Sequence, residues 1–242
     1  MKKLIIANWK MKLSFKESLA LAKILSLKLR GDKNKVVVCP DYLPLLPISE
    51  ILKKSKITLG AQDCAITDFG AYTGEVSPLN LKNIGVKYVI LGHSERREHL
   101  HENSAIINDK IKAALKNKLI PVLCVGEKLT ERKDGEAQSV ILDQLKRALG
   151  GVKLGSSDLV IAYEPIWAIG SGKAINPSEA EEMHHYIKEQ AAKILKKSVL
   201  VIYGGSVDAN NFPDFAAQKN IDGFLVGGAS LRANEFIKIC LQ

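Results

Sequence analysis

Eight short apolar runs, rich in β-branched residues, recur along the whole chain: Leu4–Ala7, Val36–Cys39, Ile57–Ala61, Tyr88–Leu91, Ile120–Val125, Leu159–Tyr163, Val199–Tyr203 and Phe224–Val226. Each is continuous rather than alternating, the pattern of a strand buried on both faces. Most of the intervals between them are long enough for a helix. Ser14-Phe15-Lys16-Glu17 has the form of a capping box, opening a helix that runs to Arg30 before Gly31. Asn176-Pro177-Ser178-Glu179 predicts a second box, after which Ala180, Met183, Ile187, Ala191 and Ile194 recur at steps of three and four. Ile107, Ile111, Ala114 and Leu115 form another helical stripe. Repeated strand–helix units imply parallel pairing, and eight of them fit a closed eight-stranded parallel β/α barrel of the α/β class better than an open sheet. The period alone leaves a doubly wound sheet open. No GxGxxG follows the first run, however, and no Pro/Gly/Ser-rich linker divides the chain, so one barrel domain over residues 1–242 is expected.

A chain of 242 residues with 46% apolar and 25% charged residues can bury a core without disulfides or a structural metal. The four cysteines, Cys39, Cys64, Cys124 and Cys240, form no CxxC pair and read as buried thiols in a reducing compartment. The opening residues are basic, but the apolar run Leu4–Ala7 is too short for a secretory signal or a membrane span. A cytoplasmic protein with no membrane partner is expected. The net charge of +9 hints at an anion, yet only six of the 35 basic residues are Arg, the side chain that reads bases and forks phosphates. Nucleic acid is therefore not expected as a partner. The excess Lys reads as solvated surface, with a share in steering a small anionic substrate inward.

In such a barrel the reactive groups sit where a strand ends and its following loop begins. Those positions hold Asn8 and Lys10 after the first strand, His93 and Glu95 after the fourth, and Glu164 after the sixth. The seventh and eighth strands end in Gly204-Gly205-Ser206 and Gly227-Gly228, where backbone N–H groups without a neighbouring Cβ approach an anion closely. Glu164, placed before Pro165, reads as a semi-buried base or as a salt-bridged structural carboxylate. His93 reads as a proton shuttle, a hydrogen-bond donor or a satisfied core histidine, and Lys10 as an electrostatic clamp or a surface residue. The segment Pro165, Ile166, Trp167, Ala168, Ile169, Gly170, Ser171, Gly172 and Lys173 has an apolar centre between Pro and a Gly-Ser-Gly hinge, which suits a lid. The loop from Cys64 to Ser77 carries enough apolar residues to pack on its own barrel or on a second subunit.

Taken together, several stretches resemble the triosephosphate isomerase family: Asn8-Trp9-Lys10-Met11, Gly60-Ala61-Gln62-Asp63, Gly70-Ala71-Tyr72-Thr73-Gly74-Glu75-Val76-Ser77 and Gly92-His93-Ser94-Glu95-Arg96-Arg97. Cys124-Val125-Gly126-Glu127, Ala162 to Gly170, Tyr203 to Val207 and Val226 to Leu231 continue the match in the family's order across essentially the whole chain. The chain departs from the family's usual pattern at Lys12, Ser171 and Asp41. The resemblance implies a TIM barrel and the interconversion of dihydroxyacetone phosphate and D-glyceraldehyde 3-phosphate in glycolysis and gluconeogenesis. It implies Glu164 as the base, His93 as the electrophile, and Lys10, Asn8 and Glu95 as supporting catalytic groups. It further implies phosphate donors at Gly170, Ser206, Gly227 and Gly228, with Asn8 and Lys10 also touching substrate, and no cofactor or metal. A homodimer is implied, with Tyr72 and Thr73 at the partner. Two other readings are a metal-dependent barrel hydrolase using His93, His99, His101 and Glu102, and a basic nucleic-acid-binding module.

Overall fold

The structure, a computed structural model, describes residues 2–30, 33–169 and 174–242. Its elements in chain order are β1 (Leu4–Asn8), α1 (Phe15–Lys28), β2 (Lys35–Cys39), α2 (Leu45–Leu52), β3 (Thr58–Ala61), α3 (Pro78–Asn83), β4 (Tyr88–Leu91), α4 (Ser94–His99) and α5 (Ser104–Lys116). There follow β5 (Ile120–Val125), α6 (Leu129–Lys133), α7 (Ala137–Leu149), β6 (Val160–Tyr163), α8 (Pro177–Leu195), β7 (Leu200–Tyr203), α9 (Phe212–Ala216), β8 (Gly223–Val226) and α10 (Ala233–Leu241). All neighbouring strands pair in parallel, and β8 pairs with β1, so the sheet closes into a barrel in sequence order. That closing pair decides between the barrel and the open sheet.

Closure explains the continuous apolar runs. Alternate residues of each strand enter two separate cores: Ile6, Val37, Cys39, Ile90, Val122, Ala162, Ile202 and Leu225 fill the barrel, while Ile5, Val38, Val89, Leu123, Ile161 and Val201 face the helices. Both faces are dry, so neither can be polar. The closing seam is tight as well: a Cβ on Gly223 would lie 2.0 Å from the Leu4 carbonyl oxygen, so only Gly admits this pairing of β8 with β1.

The helices follow the sequence signals with two differences. Ser14 forms the capping box with Glu17, and α1 ends at Lys28, short of Arg30. Asn176 caps α8 by accepting from the Ser178 N–H, but the second box is only half formed, because the Glu179 carboxylate reaches Arg132 at 2.6 Å instead of its own helix start. Ile107, Ile111 and Ala114 are buried and Leu115 packs at the edge of the same core. All four cysteines are buried and free, and burial pushes each thiol up.

Candidate active site

At the C-terminal ends of the strands, the mouth of the barrel, a cavity of about 420 Å³ is lined by Asn8, Lys10, His93, Glu164, Ile169, Gly204, Gly205, Ser206, Gly227 and Gly228, among others. The structure therefore gathers residues from five separate strand ends, those of β1, β4, β6, β7 and β8, that the sequence scatters over more than two hundred positions.

Asn8 is the last residue of β1 rather than the first of the loop, and its Oδ1 accepts from the Lys10 N–H at 3.1 Å. Lys10 has φ 51°, a left-handed conformation that a Lys adopts only when its surroundings hold it there. Part of that hold is Gln62, whose Nε2 donates to the Lys10 carbonyl at 2.9 Å. The Lys10 ammonium lies 2.7 Å from Glu95 Oε1. Burial raises the Glu95 carboxyl, but the hydrogen bond and charge of Lys10 outweigh it and hold that carboxyl below its usual range. Glu95 thus sits behind Lys10 rather than in the cavity lining.

Glu164 is buried, deeper than the semi-buried position expected of it, because its backbone is gripped on both sides. Its N–H donates to the Val125 carbonyl at 2.8 Å. Gly126, on the neighbouring strand end, lies so near that a Cβ there would come within 1.7 Å of the Glu164 carbonyl oxygen. On the side chain, Oε2 accepts from the Ser94 N–H at 3.1 Å, whereas Oε1 has no hydrogen-bond partner. His93 Nε2 stands 3.2 Å from Oε1 but out of line for a hydrogen bond. The other ring nitrogen, Nδ1, accepts from the Glu95 N–H at 3.3 Å, so the network assigns the ring proton to Nε2, the nitrogen facing the cavity.

The glycine pairs after β7 and β8 both line the cavity. Ser206 does too, but its hydroxyl donates to the Ala168 carbonyl at 2.6 Å and is not free for an anion here. Ahead of it, Ile166–Ala168 forms a single 3-10 turn whose Trp167 Nε1 donates to Glu127 Oε1 at 3.2 Å. The expected lid positions Gly170, Ser171, Gly172 and Lys173 lie outside the described residues. Tyr72 and Thr73 are away from this cavity, on an exposed loop where Phe69 is 76% accessible. The loop's ends pack on its own barrel, with Cys64 and Ala65 buried and Asp68 held by Lys116 and Asn117, while Phe69 and Tyr72 stay exposed.

Several supporting residues are not singled out for this role by the sequence, and Glu102 reads there only as a metal ligand. Fully buried Glu127 accepts from Tyr163 Oη and Trp167 Nε1 and faces Arg132. Asp208 accepts from the N–H groups of Asn210 and Asn211, shaping the loop after β7. Asp63, Glu102 and Lys110 are buried together, with Lys110 Nζ 2.6 Å from Asp63 Oδ2 and 2.5 Å from Glu102 Oε1, and Arg96 bridges both carboxylates. Burial pushes Asp63 up to about 6, against the pull of Lys110 and Arg96 and aided by Glu102. Glu102 is thus engaged apart from His93, and among the described residues no three His, Cys, Asp or Glu side chains are grouped to hold a metal ion.

A family model described as triosephosphate isomerase matches residues 3–242. The triosephosphate isomerase of Dehalococcoides mccartyi strain CBDB1 is 46% identical, covering 100% of this chain and 97% of its own. That of Leptospira interrogans serovar Lai is 44% identical, covering 99% and 100%. The crystal structure of triosephosphate isomerase from Bartonella henselae superposes with a TM-score of 0.90 at 32% identity, covering 99% of this chain and 98% of its own. With the closed barrel, the gathered strand ends and these full-length matches, the chain belongs to the triosephosphate isomerase family.

Proposed function

We propose that this chain interconverts dihydroxyacetone phosphate and D-glyceraldehyde 3-phosphate at the mouth cavity, with Glu164 as base and His93 as electrophile. The observation that carries this reading is the pairing of an unpartnered, buried carboxylate oxygen, Glu164 Oε1, with the proton-bearing Nε2 of His93 in one cavity that the glycine pairs after β7 and β8 also line. Glu164 takes a proton from a substrate carbon; the C–H electron pair becomes the carbon–carbon double bond, and the carbonyl oxygen takes the negative charge. His93 Nε2–H and the Lys10 ammonium face that oxygen, and Asn8 and Glu95 fix Lys10. The hydroxyl proton on the first carbon then moves to that oxygen by way of His93 Nε2; when Glu164 returns its proton to the former carbonyl carbon, the double-bond pair forms the new C–H bond and the first carbon's oxygen becomes the carbonyl. No step calls for a cofactor.

The phosphate is assigned to the backbone N–H groups at Gly227 and Gly228, with Gly170 and Ser206 joining once the lid from Pro165 to Lys173 closes and water leaves. For Ser206 this requires its hydroxyl to leave the Ala168 carbonyl. The chain acts as a homodimer, in the cytoplasm, as one domain. The dimer reading is supported by the exposure of Met11, Leu43, Phe69 and Tyr72 on the connections that leave β1, β2 and β3, the last of which holds Thr73. A coupled assay with glyceraldehyde 3-phosphate tests the reaction. Glu164→Gln lowers turnover at least about a hundredfold with an unchanged melting curve, in the range of general-base catalysis. Turnover retained within about threefold removes Glu164 as the base.

A further inference from the structure

In a parallel barrel every helix that returns to the sheet ends at the same side, so the connections leading into the strands form one face, the floor opposite the mouth. These connections, residues 1–3, 29–34, 53–57, 84–87, 117–119, 150–159, 196–199 and 217–222, carry thirteen Lys or Arg and three Asp, a net +10 that exceeds the +9 of the whole chain. Each of the eight contains at least one cation. The opposite connections, from strand ends to the next helix, carry five cations and seven acids, a net −2. The arrangement has a local cause, since helix C-termini favour cations, and barrel topology adds the local preferences into a single face.

The floor charges are available. Lys33, Lys54, Lys87, Lys118, Lys153 and Lys219 are exposed, and their ammonium groups have no partner among the described residues. Of the acids, Asp158 is 3.7 Å from Lys197 and Asp222 is 2.9 Å from Lys188. Lys2 and Lys3 join Lys33 and Lys219 around a floor cavity of about 640 Å³ that no acidic side chain lines.

We propose that this floor docks on an acidic phospholipid bilayer and leaves the catalytic mouth facing solvent. Cations on all eight connections encircle a closed barrel, so a plane engages every one of them, whereas a nucleic-acid rod crosses such a face along one diameter. Twelve of the thirteen are Lys, compact hydrated charges that respond to a diffuse surface potential rather than forking single phosphates. The aromatic rings near them, Tyr88 and Phe212, are buried, leaving no exposed platform among the described residues on which bases stack. Leu27, Leu200 and Leu241 are exposed at this end, suited to the boundary between headgroups and acyl chains. The expectation of no membrane partner rested on the lack of a span or anchor; a peripheral contact needs neither.

Co-sedimentation of the full-length protein with vesicles of phosphatidylglycerol and phosphatidylcholine, against phosphatidylcholine alone, tests the proposal. Binding at least about tenfold tighter to the acidic vesicles, and lost in about 0.5 M salt, is expected. The triple variant Lys33→Glu, Lys54→Glu, Lys219→Glu lowers that affinity at least about tenfold with isomerase turnover unchanged, while Lys128→Glu, on the mouth side, leaves affinity unchanged. Leu200→Trp adds emission that shifts to the blue on acidic vesicles. Equal binding to both vesicle types, a triple variant that binds as the parent does, an unshifted Leu200→Trp, or tighter binding to a short RNA or DNA duplex than to acidic vesicles at the same salt overturns it.

Discussion

At the mouth of the barrel the connections carry a net −2 and the charges at the site are buried or half-buried and paired, whereas the floor connections carry a net +10 whose cations are largely exposed and, among the described residues, many without a partner. Lys10 meets Glu95, Lys110 meets Asp63 and Glu102, and Arg132 meets Glu127, each at 3.3 Å or less. Charges held in low dielectric act strongly over short distances and need exact partners; solvated charges act weakly one by one and are screened within about 10 Å. The contrast teaches that one scaffold separates two uses of charge: local fields for chemistry at one end and a summed field at the other. It also changes the reading of the +9. Much of the excess Lys lies on the floor, away from the cavity, where among the described residues Lys10 and Arg232 are the lining cations.

The sharpest way to break the comparison uses one glycine from each end. Gly126→Ala drives a Cβ into the Glu164 backbone, so kcat/KM falls about a hundredfold, the usual result of a misplacement near 1 Å. Activity within threefold of the parent would show that the position of the base tolerates this shift. Next comes Asp63, whose native value of about 6 stands above its unfolded value near 4. A raised carboxylate is favourable only while protonated, so its contribution is present below about pH 4 and disappears as pH rises through about 6. Relative to Asp63→Asn, the parent therefore loses on the order of 2 to 3 kcal/mol of stability across that window. Urea titrations at pH 4 and 7 that give the same difference between parent and variant would refute it.

Gly223→Ala disturbs the floor seam instead, at about 1 to 3 kcal/mol of stability from overpacking, with turnover per folded molecule unchanged. If its activity falls as far as that of Gly126→Ala, the two ends are not independent. Smallest of all, Lys54→Glu alone shifts stability by less than about 0.5 kcal/mol and leaves turnover alone, since the exposed ammonium has no partner among the described residues to lose. A larger change in the melting midpoint would reveal a structural role for floor charge.

Much of the site was legible because its residues follow strands. The apolar runs located the strands to within about one residue, since both faces of each are dry, and the positions after them pointed to Asn8, Lys10, His93, Glu95 and Glu164. The depth of Glu164, the donation of Ser206 to a lid carbonyl and the turn of Glu179 toward Arg132 were not legible. Each depends on a partner supplied by another element. The Asp63–Lys110–Glu102 cluster shows the same limit, for its members come from separate elements and share no spacing rule.

By itself, the sequence determined the alternation of strand and helix, the caps that start α1 and α8, and the identity of the reactive groups, because hydrophobic period and capping act over a few neighbouring residues. Tertiary structure alone decided that β8 meets β1, that five strand ends share one cavity, and that twelve lysines scattered along the chain collect on one face. Closure is a long-range event, and only a closed parallel barrel gives all its helix ends a common side.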